Sequence, residues 1–166
     1  MSSSEVIVPV ALGPVTSDGV IRVDHIKDLE NASYRVDDQA REVMGQQEYT
    51  TSNGVPYRPV VLKGEDFTDH ERFISNIRKV AEGMRLITPP AELARLLRKS
   101  IFDAEIEAMG LWALIVMHEP ITDAGGDPVI LGMDRDNRGQ WVYAYFGGPD
   151  LGWSHGDGFV FLAPQA

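Results

Sequence analysis

The sequence has no cysteine and no long hydrophobic run. The absence of cysteine excludes disulfides, thiolate nucleophiles and zinc sites with cysteine ligands. The longest unbroken apolar run, residues 111–117, is far too short to cross a bilayer. The N-terminus also lacks the basic start of a signal peptide. These features predict a soluble protein with no membrane partner, in the cytoplasm or another reducing intracellular environment.

Positive charge is in short supply. The chain carries 15 Lys and Arg against 25 Asp and Glu, a net charge of −10. This balance argues against direct nucleic-acid binding, which needs clustered cations for the phosphates. The ordinary role of such acidity is solubility. The alternative is an acidic surface that blocks a basic site on a partner, and residues 111–166 hold seven acidic but only two basic side chains.

The first third of the chain, residues 1–65, is predicted to be extended and rich in β-forming residues. Short β-prone runs occur at 6–8 and 20–23. Pro56 and Pro59 restrict the stretch around them to an edge strand or an extended arm, because proline cannot donate to a ladder. A short helix is also expected over residues 37–44, and Asn53-Gly54 is a tight-turn signal. Residues 66–166 are expected to form the α+β core, within one domain overall.

Two helices are predicted between residues 66 and 110. Thr68 and Glu71 match a capping box for the first helix. Its apolar face contains Phe73, Ile74, Ile77, Val80, Ala81 and Met84. The second helix is expected to start at Thr88 and to stop at Gly110. Its basic residues, Arg95, Arg98 and Lys99, are expected on a solvated face, paired with nearby acids.

Four strands are predicted in the C-terminal part, at residues 111–117, 128–133, 140–146 and 159–162. The first is apolar throughout and should be a central strand that is covered on both faces. The expected fold class is therefore α+β: a two-helix hairpin packed on one side of a four-stranded antiparallel meander, with an extended N-terminal segment.

A candidate reactive cluster follows from that meander. The loops after its first and third strands would emerge at one end of the sheet and bring together imidazoles and carboxylates. Such groups could act as general acid and base or hold a divalent metal. The catalytic candidates are His118, Glu119, His155 and Asp157, and the metal-ligand candidates are His118, His155 and Asp157. The alternative interpretation is a proline-closed strand end and a glycine-rich turn, with no shared site.

No spacing matches a known ligand or nucleophile signature, so the sequence favours a non-enzymatic protein without a cofactor. His25 and His70 are expected to be solvated.

The first functional hypothesis is a binding or assembly subunit, for example of a viral particle, that docks on a protein partner or on copies of itself through its N-terminal segment. The interface residues expected for it are Val6, Ile7, Val8, Tyr57, Val60 and Trp153. The two alternatives are an acidic inhibitor or immunity-type protein and a small metal-dependent hydrolase that uses the His118 and His155 loops.

Overall fold

Helices and strands are interspersed along the chain in the computed structural model, which describes residues 7–135 and 140–164. The α-helices in this part are α1 His25–Asn31, α2 Asp38–Met44, α3 Ile74–Gly83, α4 Leu93–Ser100 and α5 Asp103–Ala108. The strands are β1 Val10–Ala11, β2 Val15–Asp18, β3 Arg35–Val36, β4 Asn53–Tyr57, β5 Pro59–Lys63, β6 Ala113–Val116, β7 Ile121–Thr122, β8 Pro128–Asp134, β9 Trp141–Phe146 and β10 Asp157–Leu162. This mixture confirms the α+β class.

Most strands belong to one eight-stranded sheet in the order β1-β5-β10-β6-β8-β9-β3, with β7 paired to β8. The pairs β10/β6 and β3/β9 are parallel, and the other pairs are antiparallel. The predicted four-stranded antiparallel meander is therefore wrong. After β9 the chain does not turn back beside that strand but crosses two others, and β10 pairs between β5 and β6.

The N-terminal segment supplies strands to this sheet. β5 lies inside it between β1 and β10, and its residues Val61 and Leu62 are fully buried. The prediction that the two prolines confine this stretch to an edge or an arm is wrong for β5, but it holds for β4, which is an edge strand of a two-stranded sheet. Pro59 is the first residue of β5, where a missing N–H is tolerated, and Pro56 lies in the separate β2/β4 pair.

The helices cover both faces of the sheet, so the prediction that they pack on one side is wrong. On one face, α3 packs against Ala113, Ile115 and their neighbours. On the other face, α1, α2, α4 and α5 form a larger cluster with Leu114 and Val116. The prediction that the apolar run at 111–117 is central and covered on both sides is confirmed for β6, whereas Trp112 lies before the strand and is 62 % exposed.

The helix boundaries differ from the sequence signals. The Glu71 carboxylate accepts from the Thr68 amide, as expected, but the Thr68 hydroxyl donates to the same carboxylate instead of accepting from the Glu71 amide. These bonds close a turn, and α3 begins only at Ile74. The predicted second helix is two helices, because the backbone is extended at Ile101. Gly110 has the left-handed conformation expected of a helix stop, with φ +78°.

Charged residues of α4 are buried, which corrects the prediction of a solvated face. Arg95 and Arg98 are fully buried, whereas Lys99 is exposed. Arg95 donates to Asp18 at 2.5 Å and to Asp28 at 2.7 Å. Since both carboxylates lie in the first third of the chain, Arg95 ties that segment to the centre of the fold.

His25 is also fully buried rather than solvated, whereas His70 is exposed as expected. The Nε2 of His25 donates to the Val20 carbonyl and its Nδ1 accepts from the Tyr49 hydroxyl, each at 2.7 Å. Burial lowers the pKa of His25, so the neutral ring that this pattern requires is favoured.

Candidate functional site

His118, the first candidate from the sequence, is a buried structural residue with 1 % of its surface exposed. Its Nε2 accepts from the Leu131 amide at 2.9 Å, and its Nδ1 lies 2.7 Å from the Glu119 carbonyl, to which it donates. Burial lowers its pKa to about 4. Both ring nitrogens are thus occupied in the neutral form, and neither is available to a substrate or a metal.

His155 and Asp157 lie at the other end of the sheet from His118. β10 runs parallel to β6, and the Trp112 amide donates to the Gly156 carbonyl at 2.7 Å. His155 is therefore level with the start of β6, whereas His118 follows its end, about 20 Å further along a strand of this length. The two histidines do not converge, and the exposed Glu119 lies at the His118 end.

The carboxyl of Asp157 has a local structural role. It accepts a hydrogen bond from the Ser154 amide at 3.0 Å, and burial raises its pKa. In the part of the chain that the structure describes, no group of three or more His, Asp or Glu side chains could hold a metal ion.

The glycine-rich stretch from Gly147 to Gly156 is a packed crossover between β9 and β10. Parallel strands need such a connection, and it is usually a helix. Here the chain instead runs beside the start of α3, where the Ser75 amide donates to the Pro149 carbonyl and the Trp153 amide to the Arg72 carbonyl.

The crossover is held to the core by Arg72 and Trp153. Arg72 is buried and donates to the carbonyls of Gly64 and Phe67, each at 2.9 Å. The Trp153 ring packs at a tilt against Tyr145 and edge-on against Phe159, with centroids 5.6 and 5.9 Å away. The stretch is thus a wall of the core, and Trp153 is part of that wall.

The remaining predicted interface residues are scattered. Val6 lies outside the described residues. Val60 is 8 % exposed inside the sheet, so it offers no docking surface. Ile7 and Tyr57 are half-buried, and Val8 is 64 % exposed.

A groove of about 610 Å³ lies where the carboxyl ends of the parallel strands β6 and β10 meet. We call it the carboxyl-edge groove. Its lining residues are Glu48, Thr50, Tyr57, Ile87, Thr88, Pro89, Pro90, Ala91, His118, Glu119, Ile121 and Leu162. The position agrees with a general tendency of sheets with parallel strands to bind ligands beyond the carboxyl ends of those strands.

The groove combines an apolar floor with an acidic rim. Pro89, Ala91 and Leu162 are buried below it, and Glu48 and Glu119 are exposed above it. Among the described residues Glu48 has no ion pair, and Glu119 has only a longer-range attraction to Arg78.

The polar groups next to the floor are already satisfied. The buried Glu92 accepts from the Ser52 amide and hydroxyl and from the Tyr57 hydroxyl, at 3.3, 2.5 and 2.9 Å. Burial raises the pKa of Tyr57, which keeps its phenol protonated. The ring of His118, which also lines the groove, is occupied in the same way.

Sequence reasoning missed this groove because its walls come from three separate parts of the chain. The segments around Glu48, Pro89 and Glu119 meet only once β5 and β10 have paired. The nearest local signal is Pro89-Pro90, which the sequence presents as the start of a helix.

None of the helices in the described ranges is long and apolar enough to span a membrane. Comparisons with protein-family models, curated proteins and solved structures find no match to this chain.

Proposed function

We propose that this protein is a non-catalytic protein-binding domain whose carboxyl-edge groove receives a positively charged segment of a partner protein. The observation that carries the proposal is the pairing of an apolar floor with the carboxylates of Glu48 and Glu119 at the rim. An Arg or Lys side chain has the matching form, because its stem is apolar and its end is a cation.

The charge distribution of the whole chain supports the same ligand. The net charge is −10, and several of the cations are directed into the fold. Carbonyls and carboxylates of the chain itself accept from Arg72, Arg78, Arg95 and Arg98. The carboxylates left outside attract a basic partner and raise its rate of association.

The proposal replaces the N-terminal segment with the groove as the docking surface, because β5 is an interior strand of the sheet. Like the acidic-inhibitor hypothesis, the proposal requires a positively charged partner. The hydrolase hypothesis has lost the shared site on which it depended, since His118 and His155 lie at opposite ends of β6 and β10.

A selection of random peptides displayed on phage, made against the full chain, tests the proposal. We expect enrichment of Lys and Arg, and at least about tenfold weaker binding of the selected peptides to the double variant Glu48→Gln/Glu119→Gln. About 0.5 M salt should weaken binding similarly, because exposed ion pairs are screened.

The matched control is Glu82→Gln/Asp150→Asn, which removes the same charge from two exposed carboxylates that do not line the groove and form no ion pair among the described residues. Its binding should stay close to that of the natural sequence. The proposal fails if no sequence is enriched, if the enriched sequences lack cations, or if both double variants weaken binding equally.

A further inference from the structure

We infer that the partner segment is amphipathic, and that beyond its basic part it places apolar side chains on Ile21 and Val23. This inference rests on the proposed function, since it extends the ligand of the carboxyl-edge groove. The observation behind it is a second hollow, of about 440 Å³, that shares Thr50 with the groove. We call it the side depression; its lining residues are Ile21, Arg22, Val23, Gln47, Tyr49, Thr50 and Thr51.

The apolar residues of the side depression are unusually exposed. Ile21 is 59 % exposed and Val23 is 73 % exposed, on either side of Arg22 in a short 3-10 turn. Ile87, at 41 %, is the exposed apolar residue of the neighbouring groove. Each of the two hollows, which meet at Thr50, thus has exposed apolar side chains, and such side chains beside a polar rim are typical of a protein interaction site.

The segment between the two hollows, residues 46–50, which we call the ridge, is fixed by contacts with buried residues. Tyr49 is 1 % exposed, and its hydroxyl bonds to the buried His25. Arg22 Nη1 donates to the Gln46 carbonyl at 2.9 Å, which joins the 3-10 turn to the start of the ridge. A surface that is ordered before binding loses little conformational entropy when a partner docks.

The distribution of charge determines which part of the partner segment lies over the groove and which part lies over the side depression. The carboxylates Glu48 and Glu119 lie on the groove side of Thr50, whereas the side depression contains the cation Arg22. A basic segment laid over both hollows is attracted at one end and repelled at the other. The partner segment therefore has its Lys or Arg residues over the groove and uncharged apolar residues over Ile21 and Val23.

Synthetic forms of the tightest peptide from the phage selection test this order. One form keeps the cations and replaces the apolar residues with Ser, and the other keeps the apolar residues and replaces each cation with Gln. We expect the serine form, and separately the variant Ile21→Ser/Val23→Ser, to raise the Kd by about tenfold, because each removes one side of the same apolar contact. The control is Val55→Ser, an exposed valine of β4 that lines neither hollow.

The outcomes separate the two claims. If the peptide binds through its cations but neither the serine form nor Ile21→Ser/Val23→Ser changes the Kd, the inference is overturned and the groove proposal stands. If no peptide binds at all, both fail. The inference also fails if light scattering shows a dimer that Ile21→Ser/Val23→Ser dissociates, because the side depression would then be covered by a second copy of this chain.

Discussion

His118 shows how a polar residue can serve the fold rather than a reaction. The ring is enclosed at the end of β6, and its Nε2 accepts from an amide of β8. Nearby, the guanidinium of Arg78 donates to the carbonyls of Met117 and His118, which places a positive charge close to the ring. Burial and this neighbour both favour the neutral ring, so protonation of His118 is coupled to unfolding.

We predict a pH-dependent contribution of His118 to stability. Its pKa is about 4 in the folded protein and 6.5 when unperturbed, so the unfolded state binds the proton more readily. The contribution is fully present above about pH 6.5 and is lost as the pH falls towards 4, in total roughly 3 kcal/mol. Of this, about 2 kcal/mol falls between pH 7 and pH 5. Urea unfolding of His118→Gln should show a pH dependence weaker by that amount.

The matched control is His70→Gln, which changes an exposed histidine. It should keep the pH dependence of the natural sequence. The pKa of His25 is also lowered, but His25 is present in every variant and its effect cancels in the comparison. Equal pH dependence in all three proteins would contradict the buried, neutral His118.

At the residue scale, sequence reasoning placed several charges wrongly for one reason. It considered partners three or four positions away on a helix. The partners of Arg95 are Asp18 and Asp28, more than sixty positions earlier in the chain. Such contacts exist only after the sheet has formed, so no local pattern marks them.

At the scale of elements, the crossover from β9 to β10 depends on close packing against Gly64. A Cβ at this position would lie 2.6 Å from the Ser154 carbonyl oxygen and 2.7 Å from that of Asp157. Both contacts are with backbone, so neither neighbour can turn aside as a flexible side chain would. The absence of a side chain at Gly64 therefore allows the crossover to lie against the end of β5.

We predict that Gly64→Ala lowers the free energy of unfolding by about 2 kcal/mol, since the added methyl group must push the backbone apart. The control is Gly83→Ala in the last position of α3, where a Cβ would meet no atom within 4 Å. It should raise stability by less than about 1 kcal/mol, because alanine favours a helix. Urea unfolding measures both, and a neutral Gly64→Ala would contradict the packed crossover.

Several elements follow closely from the sequence, and the failures concern how they pair. The short helix expected over residues 37–44 is α2, and β8 and β9 match two of the predicted strands to within a residue or so. Alternation of side chains identifies a strand but not its neighbour. The assumption of a meander therefore reversed the direction of β10 relative to its neighbours, and with it the position of His155. The prediction of β structure at residues 20–23 is also wrong, since Arg22–Asp24 is a 3-10 helix.

At the scale of the whole molecule, the first third of the chain is part of the same fold as the rest. It gives the sheet an interior strand, β5, and both edge strands, β1 and β3. It also gives the larger core cluster Leu29, Val43 and Met44. One wall of the carboxyl-edge groove, around Glu48 and Tyr57, comes from this third.

That arrangement explains why composition predicted the class but not the carboxyl-edge groove. The sequence indicates one acidic α+β domain, and the strong β tendency near residue 60 is real. Whether such a segment docks on a partner or on its own sheet depends on which edge is free, and that is decided by the other strands. The groove exists only because the segment folds back.

Native-state hydrogen exchange of the full chain tests this central claim most directly. If β5 is an interior strand, its amides that bond to β10 should open with the same free energy as the amides of β6 and β10. If the β5 amides exchange at a much lower opening free energy while β6 and β10 stay protected, the first third is a separable arm and the groove loses a wall.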